Sequence, residues 1–181
     1  TVSGDTLRYD TESDAANSEI EIDDVEALRN FLRVYVDITT LRLNSSGGSV
    51  WAGDEMARIV LDYELTTVVD GECSSSCVNV FLAGVSRQMA RGSKMGFHSR
   101  NWSSGAIENY YDKWAEDEGW GTPFEFSSWI YADTQAETYD DLVYLVERGV
   151  DAGFAIKTKA PRISMWFPSR RELRNAGVLT E

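Results

Sequence analysis

The chain has 181 residues, of which 43% are hydrophobic and 12% are aromatic, a size and composition typical of one globular domain with its own core. Its formal net charge of -13 argues against a nucleic-acid partner, because binding to phosphates requires a basic surface that displaces counterions. No continuous apolar run is as long as a membrane span, so we expect no transmembrane helix. We therefore interpret residues 1–181 as a single domain.

The N-terminal part of the chain predicts short strands followed by a helix. Alternating apolar and polar residues indicate strands over Asp5–Glu12 and Ser18–Asp23, separated by a turn at residues 13–18. A helix should follow Asp23, which is a suitable N-cap, because apolar residues recur at helical spacing behind it. Thr40–Asn44 predicts the next strand.

The middle of the chain continues this alternation. A turn with two glycines at Ser45–Val50 precedes a predicted helix with an apolar face over Ala52–Tyr63. The β-branched segment Leu65–Asp70 predicts a buried strand that ends at Gly71, and Val78–Val85 predicts a helix packed on the sheet.

Two short strands, Gln88–Arg91 and Lys94–His98, complete the pattern. Strands and helices that alternate in this way predict an α/β fold with a mainly parallel sheet and crossover helices. Ligands of such sheets bind where strands end and helices begin. The glycine turn, the serines after Gly71 and His98 are all predicted at such ends.

The segment at about residues 99–160 has a different character, rich in aromatic and acidic residues and without a strand pattern. We interpret it as an aromatic-rich helical insertion, with helices within Ala106–Glu118 and Thr134–Gly149. Beyond it, Ile163–Phe167 is predicted to be extended, and Ser169 to cap a short final helix.

A candidate site for acyl transfer lies in the segment GECSSSC, in which three serines stand between Cys73 and Cys77. This chemistry needs a nucleophile, a base and donors for an oxyanion. His98, the one histidine of the sequence, is the side chain best suited to be a base near neutral pH. The N–H groups of the Gly47-Gly48 turn and of Ser76 are candidate donors. Alternatively, the serines cap a helix and the histidine is structural.

The two cysteines of the chain lie in this one segment, so no second pair is available for a zinc site. We expect no metal and no cofactor. Cys73 and Cys77 could form a disulfide, which would indicate an oxidising compartment, or fill space around a tight turn as small apolar side chains.

On three segments the sequence resembles the ClpP/crotonase superfamily, in particular ClpP-like serine peptidases and their bacterial periplasmic relatives. Leu43–Val50 (LNSSGGSV) is similar to the family's Asn-Ser-Pro-Gly-Gly-x-Val strand end, and Gly71–Gly84 is similar to the nucleophile segment. Met89–His98 resembles the strand that ends in the catalytic histidine. The family's glycine spacings select Ser75 among the three serines.

The resemblance implies a ClpP/crotonase-type fold and a serine peptidase that cleaves peptides or proteins. In this interpretation Ser75 is the nucleophile, His98 is the base, and the N–H groups of Gly48 and Ser76 form the oxyanion hole. The resemblance also implies a periplasmic or secreted protein. The aromatic insertion is a candidate substrate cover or contact of a homo-oligomer, with ordinary packing as the alternative, and we do not carry over the family's heptameric ring or ATPase partner.

One position departs from the family pattern: Met165 occupies the place of the acid that orients the histidine. The orienting group could come from a carboxylate of the insertion, from Ser164, or be absent, as in a Ser-His dyad or an inactive descendant. The candidate carboxylates are Asp151, Glu147 and Asp141.

Two other functions therefore stay open. A non-catalytic ClpP-like module would bind a peptide or partner in the same cleft, with the Ser75 hydroxyl turned away from His98 or the cleft filled by Trp102 or Trp120. A crotonase-like acyl-CoA enzyme would need a basic phosphate-binding pocket, for which the basic strip Lys157–Arg174 is the candidate.

Overall fold

A computed structural model describes residues 1–13, 18–99 and 102–181 of the chain. It shows a mixed α/β fold with six strands and seven helices among these residues. The strands are β1 (Val2–Ser3), β2 (Thr6–Asp10), β3 (Thr40–Ser45), β4 (Thr66–Ser74), β5 (Arg87–Met89) and β6 (Lys94–Gly96). The helices are α1 (Ile22–Val34), α2 (Val50–Asp62), α3 (Ser76–Leu82), α4 (Ser104–Glu118), α5 (Pro123–Glu147), α6 (Ala152–Thr158) and α7 (Arg170–Asn175).

The strands form one sheet in the order β1-β2-β3-β4-β5, and β6 pairs with the far end of β4. The pair β1-β2 is antiparallel, whereas the other four pairs are parallel. Helices α1, α2 and α3 each connect two neighbouring parallel strands, as parallel pairing requires. The mainly parallel sheet with crossover helices, predicted from the alternating pattern, is confirmed.

Strand β4 changes its neighbour part-way along its length, and Gly71 lies at the change. Thr67–Val69 pair with β5, whereas Glu72–Ser74 pair with β6. Gly71 has a φ of +125°, and a Cβ there would lie 2.1 Å from the Asn44 side-chain oxygen, which accepts a hydrogen bond from the Glu72 N–H at 2.9 Å. Glycine thus allows the close approach, and the strand continues past it to the candidate site.

The core lies against this sheet. Helix α3 packs on β3 and β4, α2 lies beside α3, and α1 lies beside α2. Met56 and Val60 of α2 and Phe81 of α3 are fully buried in this core. Each such side chain contributes about 1.5–3 kcal/mol by leaving water.

A buried arginine holds the C-terminal part of the chain against the sheet. The Arg87 guanidinium donates to the carbonyls of Leu82 at 3.2 Å, Arg148 at 2.7 Å and Gly177 at 2.8 Å. These bonds fix the end of α5 beside α3, because Arg148 directly follows α5.

Several predicted boundaries are wrong. Ser18–Asp23 is not a strand: Ile20 makes a single bridge to Gly48, and α1 begins at Ile22 behind the cap Glu21. The cap moves upstream of Asp23 because the Asp24 carboxylate accepts from the Glu21 N–H, which closes a capping box.

The other differences are extensions of predicted elements. Strand β4 runs to Ser74 instead of ending at Gly71, and α3 begins at Ser76 instead of Val78. Helix α5 begins at Pro123, because Thr122 and Glu125 form a capping box there. The turn predicted at residues 13–18 includes positions 14–17, which lie outside the described residues.

Among the helices that the structure describes, none has the length and apolarity needed to cross a bilayer.

Candidate active site

Ser75 lies in a sharp turn between β4 and α3. Its backbone has φ 55° and ψ -129°, and Glu64 is the one other non-glycine residue with positive φ in the described part of the chain. Such a conformation costs about 1–3 kcal/mol and occurs most often at active sites. The turn is held by hydrogen bonds from the Ser75 N–H to Gly96 O at 3.2 Å and from the Val78 N–H to Ser75 O at 3.0 Å.

The glycine turn before α2 lies directly against Ser75. A Cβ at Gly47 would lie 2.7 Å from Ser75 Cβ and 2.8 Å from Ser74 O. The Gly48 carbonyl accepts a hydrogen bond from Ser76 Oγ at 3.3 Å. A side chain at Gly47 would therefore push the glycine turn away from Ser74 and Ser75.

His98 reaches Ser75 because β6 pairs in parallel with the end of β4, with Gly96 opposite Ser74. The distance from His98 Nε2 to Ser75 Oγ is 2.8 Å, and the distance from His98 Nδ1 to the Ser99 carbonyl oxygen is 2.9 Å. Because a carbonyl only accepts, the short Nδ1 contact requires the proton on Nδ1. In the neutral ring Nε2 is then an acceptor for the Ser75 hydroxyl, which is the tautomer that a general base needs.

The Ser99 carbonyl was not predicted as a partner of the histidine. A main-chain carbonyl is common to every residue, so no side-chain pattern could have indicated it. The sequence shows only that Ser99 directly follows His98.

None of the carboxylates proposed to orient His98 is its Nδ1 partner within the described residues. Asp151 caps α6 by accepting from the Phe154 N–H at 2.8 Å, and Glu147 is exposed at the end of α5. Asp141 lines the same cavity as His98, but its carboxylate pairs with Lys159 Nζ at 2.5 Å. Ser164 is exposed. Within the described residues, the Nδ1 partner is the Ser99 carbonyl rather than any of these groups.

Met165 packs against the strand that carries the histidine. Phe97 and Trp166 form an antiparallel bridge, with N–H to O distances of 2.9 and 2.8 Å. A Cβ at Gly96 would lie 2.7 Å from Met165 Cγ. An apolar side chain thus fills the space beside Gly96.

No protein-family model matches the sequence, and a search of curated protein sequences finds no significant match. Solved structures do match. ClpP1 from Listeria monocytogenes aligns with a TM-score of 0.66 at 16% identity, over 97% of this chain and 89% of that chain. An asparagine-to-aspartate mutant of the same Listeria protein aligns with a TM-score of 0.60 at 18% identity, over the same fractions. The chain has a ClpP-like fold.

On this ClpP-like fold a disulfide brackets the turn that contains Ser75. Cys73 at the end of β4 and Cys77 in α3 are joined by an S–S bond of 2.08 Å, and both residues are completely buried. Of the two interpretations that the sequence leaves open, the structure has the disulfide. The bond ties strand to helix across Ser75.

The hydroxyls on either side of Ser75 already have partners. Ser74 Oγ donates to Glu72 at 2.7 Å, and Ser76 Oγ donates to Gly48 O. Burial raises the pKa of Glu72, but its hydrogen bonds from Lys94 and Ser74 and the Lys94 charge together hold that pKa below its usual value. Ser75 is therefore the serine of this turn whose hydroxyl faces the imidazole.

The cavity beside Ser75 and His98 is small, with a volume of about 60 Å³. The residues that line it are Val50, Ser75, Ser76, Val78, Asn79, Gly96, Phe97, His98, Asp141, Leu145, Thr158 and Lys159. Trp102 and Trp120 instead contact Tyr110 of α4. The described residues contain no group of three or more His, Cys, Asp or Glu placed to hold a metal ion.

Proposed function

We propose that the protein is a serine peptidase that cleaves peptide bonds through an acyl-enzyme on Ser75, with His98 as the general base. The observation that carries the proposal is the 2.8 Å contact between Ser75 Oγ and His98 Nε2 at a strained strand-to-helix turn. A serine at such a turn, paired with an imidazole in the accepting tautomer, has the arrangement needed for nucleophilic attack.

In this mechanism His98 Nε2 takes the proton of Ser75 as Oγ attacks the substrate carbonyl carbon. The resulting oxyanion would bind the N–H groups of Gly48 and Ser76. Ser76 directly follows Ser75, and its hydroxyl donates to the Gly48 carbonyl. The imidazolium then protonates the leaving amine as the C–N bond breaks. A water molecule, deprotonated by His98, attacks the acyl-enzyme carbonyl carbon. The imidazolium then returns the proton to Ser75 Oγ as the ester C–O bond breaks, which releases the acid product and restores the free enzyme.

The Ser99 carbonyl supports a Ser-His dyad. It holds the ring in the required tautomer by accepting from Nδ1 at 2.9 Å, as the aspartate of a triad does. A neutral oxygen stabilises the imidazolium less than a carboxylate would, because its hydrogen bond carries no opposite full charge. We therefore expect slower turnover than in a complete triad.

The test is labelling by a fluorophosphonate probe, which reacts with activated serines. The wild-type protein should be labelled at Ser75, and Ser75→Ala should abolish the label. His98→Ala should slow labelling by about 10²–10⁴-fold, the usual contribution of a general base.

Ser74→Ala is the matched control, because it removes a neighbouring hydroxyl of the same turn that donates to Glu72 instead of His98. It should retain the label. Correctly folded wild-type protein that is not labelled would overturn the proposal.

The two alternatives receive less support. A non-catalytic binding module is expected to have Ser75 turned away from His98 or a tryptophan in the cleft. Instead, Ser75 Oγ faces His98 Nε2, and no tryptophan is among the described residues that line the cavity. An acyl-CoA site would need a basic pocket, whereas the basic residue of the cavity, Lys159, is paired with Asp141.

We further propose a periplasmic or secreted location, because a disulfide persists in oxidising compartments. Exposed aromatic side chains on α5 support a homo-oligomer: Phe124 is 84% exposed and Tyr131 is 70% exposed. Light scattering on the purified protein would test the assembly, and thiol alkylation in cells would test the oxidation state.

A further inference from the structure

The segment before α1 contacts the glycine turn through the main chain of Ile20. The Ile20 N–H donates to the Gly47 carbonyl at 2.8 Å, and the Ser49 N–H donates to the Ile20 carbonyl at 2.8 Å. Ile20 thereby forms an isolated parallel bridge to Gly48, and its side chain is only 1% exposed. The glycine turn is thus held by a residue that lies far from it in sequence.

The first of these hydrogen bonds fixes the direction of the Gly48 N–H. The Gly47 carbonyl and the Gly48 N–H belong to one peptide unit, which is trans, so the two groups point in opposite directions. Because the carbonyl faces Ile20, the N–H points away from Ile20. Within the described residues the Gly48 N–H has no hydrogen-bond partner, which leaves it available to an oxyanion.

The two glycines by themselves restrain this peptide unit poorly. Their φ angles are +107° at Gly47 and +151° at Gly48, and glycine permits rotation of the peptide between them. Both positions nevertheless need glycine, because a Cβ would lie 2.7 Å from Ser75 Cβ at Gly47 and 2.4 Å from Ile20 N at Gly48. The orientation of the peptide therefore depends on a hydrogen bond from outside the turn.

Ile20 is itself held in place by its neighbour Glu21. Glu21 caps α1, and its N–H donates to the Asp24 carboxylate at 2.8 Å. The same carboxylate oxygen accepts a hydrogen bond from the Tyr9 hydroxyl at 2.8 Å, and Tyr9 belongs to β2. The start of α1 is thus tied to the sheet, which fixes the position of Ile20.

We propose that Ile20 is a positioning residue for the reaction: its N–H, by binding the Gly47 carbonyl, keeps the Gly48 N–H directed at the oxyanion. The inference rests on the proposed function, because the Gly48 N–H is an oxyanion donor in that mechanism. Ile20 acts through the peptide unit and needs no contact with the substrate.

The test removes the Ile20 N–H without changing any side chain. An amide-to-ester replacement between Glu19 and Ile20, made by in vitro translation with an α-hydroxy acid, puts an ester oxygen in place of this N–H. Fluorophosphonate labelling is measured at increasing probe concentrations, which separates the limiting rate of labelling from the half-saturating concentration. The limiting rate should fall by at least about tenfold, up to the loss of about 10²–10³-fold that follows removal of an oxyanion donor. The half-saturating concentration should change by less than about twofold, because the oxyanion contact forms only in the transition state.

The matched control is the same ester one bond earlier, between Ser18 and Glu19. The Glu19 N–H makes no hydrogen bond with any residue that the structure describes, so this variant should be labelled like the wild type. A merely structural effect of the Ile20 ester would reduce the fraction of labelled protein and leave the limiting rate of the folded fraction unchanged. Equal limiting rates in the two esters and the wild type would overturn the role of Ile20 and leave the peptidase standing.

A measurement on the wild type tests the inference even if the Ile20 ester does not fold. By NMR, a scalar coupling across the hydrogen bond should join the Ile20 amide nitrogen to the Gly47 carbonyl carbon. After labelling, the Gly48 amide proton should shift downfield as it binds the phosphoryl oxygen. A missing coupling, or a Gly48 proton that does not shift in labelled protein, would overturn the inference. Wild-type protein that shows the coupling but is not labelled would instead reject the proposed function.

Discussion

Two regions of the molecule are stabilised in different ways. The region around Ser75 is built from parallel strand pairs and from helices α2 and α3, and its side chains belong to the main core. Helix α4, in contrast, has no buried residue, and only Phe126 and Leu145 are buried in the 25 residues of α5. The structure of the site therefore depends on pairing between segments that are distant in sequence, whereas the structure of α4 does not.

Helices α4 and α5 are held together by an aromatic cluster. Tyr110 of α4 lies 6.1 Å from Phe126 and 6.0 Å from Trp129 between ring centroids, and Trp120 lies 4.7 Å from Trp129. Phe126 and Trp120 are buried there but lie outside the main core cluster. The comparison predicts that damage to the aromatic cluster stays local, whereas damage to the main core reaches the site.

The largest expected effect comes from truncating one aromatic residue in each region. Phe81→Ala, at a completely buried position of α3, should cost about 3–5 kcal/mol of global stability. Trp120→Ala should expose backbone amides only in α4 and the first turns of α5. Hydrogen exchange followed by mass spectrometry would locate the loss, and fluorophosphonate labelling would report on the site.

The labelling rate of Ser75 should survive Trp120→Ala. If this substitution increases exchange in β4 and α3 as much as Phe81→Ala does, the two regions are one cooperative unit and the comparison fails.

A pair of glycine substitutions sharpens the same contrast. A Cβ at Gly84 would lie 2.2 Å from Oγ1 of the buried Thr67, so Gly84→Ala should cost about 3 kcal/mol by overpacking. Gly105 in α4 has no such neighbour within 4 Å, and Gly105→Ala should stabilise the protein by about 0.5 kcal/mol through lower backbone entropy of the unfolded chain. Urea unfolding midpoints measure both, and shifts of the same sign would contradict the contrast.

The disulfide should contribute less. A loop as short as that between Cys73 and Cys77 removes about 2 kcal/mol of unfolded-state entropy. A reductant should therefore lower the free energy of unfolding by about this amount and slow Ser75 labelling. The Cys73→Ala/Cys77→Ala double variant should be insensitive to the reductant, and a reductant effect on that variant would place the cause elsewhere.

The smallest effect concerns pH. Because hydrogen bonds from Lys94 and Ser74 lower the pKa of Glu72 in the folded state despite its burial, the Glu72 contribution to stability is present above its unfolded-state pKa. This contribution is lost as the pH falls through the lower folded-state value. Glu72→Gln should flatten the acid limb of stability against pH. An unchanged acid limb would show that the pKa of Glu72 is not shifted.

The elements that were predicted well are those with strong local signals. The apolar face of α2 and the β-branched run of β4 give clear periodicities, and both elements lie where expected apart from a few terminal residues. The strand predicted at Ser18–Asp23 failed because two isoleucines at alternating positions, Ile20 and Ile22, suggested a strand. Ile20 is buried and forms one isolated bridge to Gly48. Ile22, in contrast, is 64% exposed in the first turn of α1.

By itself, the sequence determined the alternation of strands and helices between Thr40 and Gly96, because local periodicity depends on neighbours along the chain. Only the resemblance to ClpP-like peptidases singled out Ser75 among the three serines and paired it with His98. The tertiary structure alone decided what contacts them. The Ser99 carbonyl has no side-chain signature, and the Asp141–Lys159 pair joins segments whose relative position depends on how α5 and α6 pack. The resemblance to ClpP-like peptidases led us to expect an orienting acid at the position of Met165, whereas the Nδ1 contact that the structure shows is with a main-chain carbonyl.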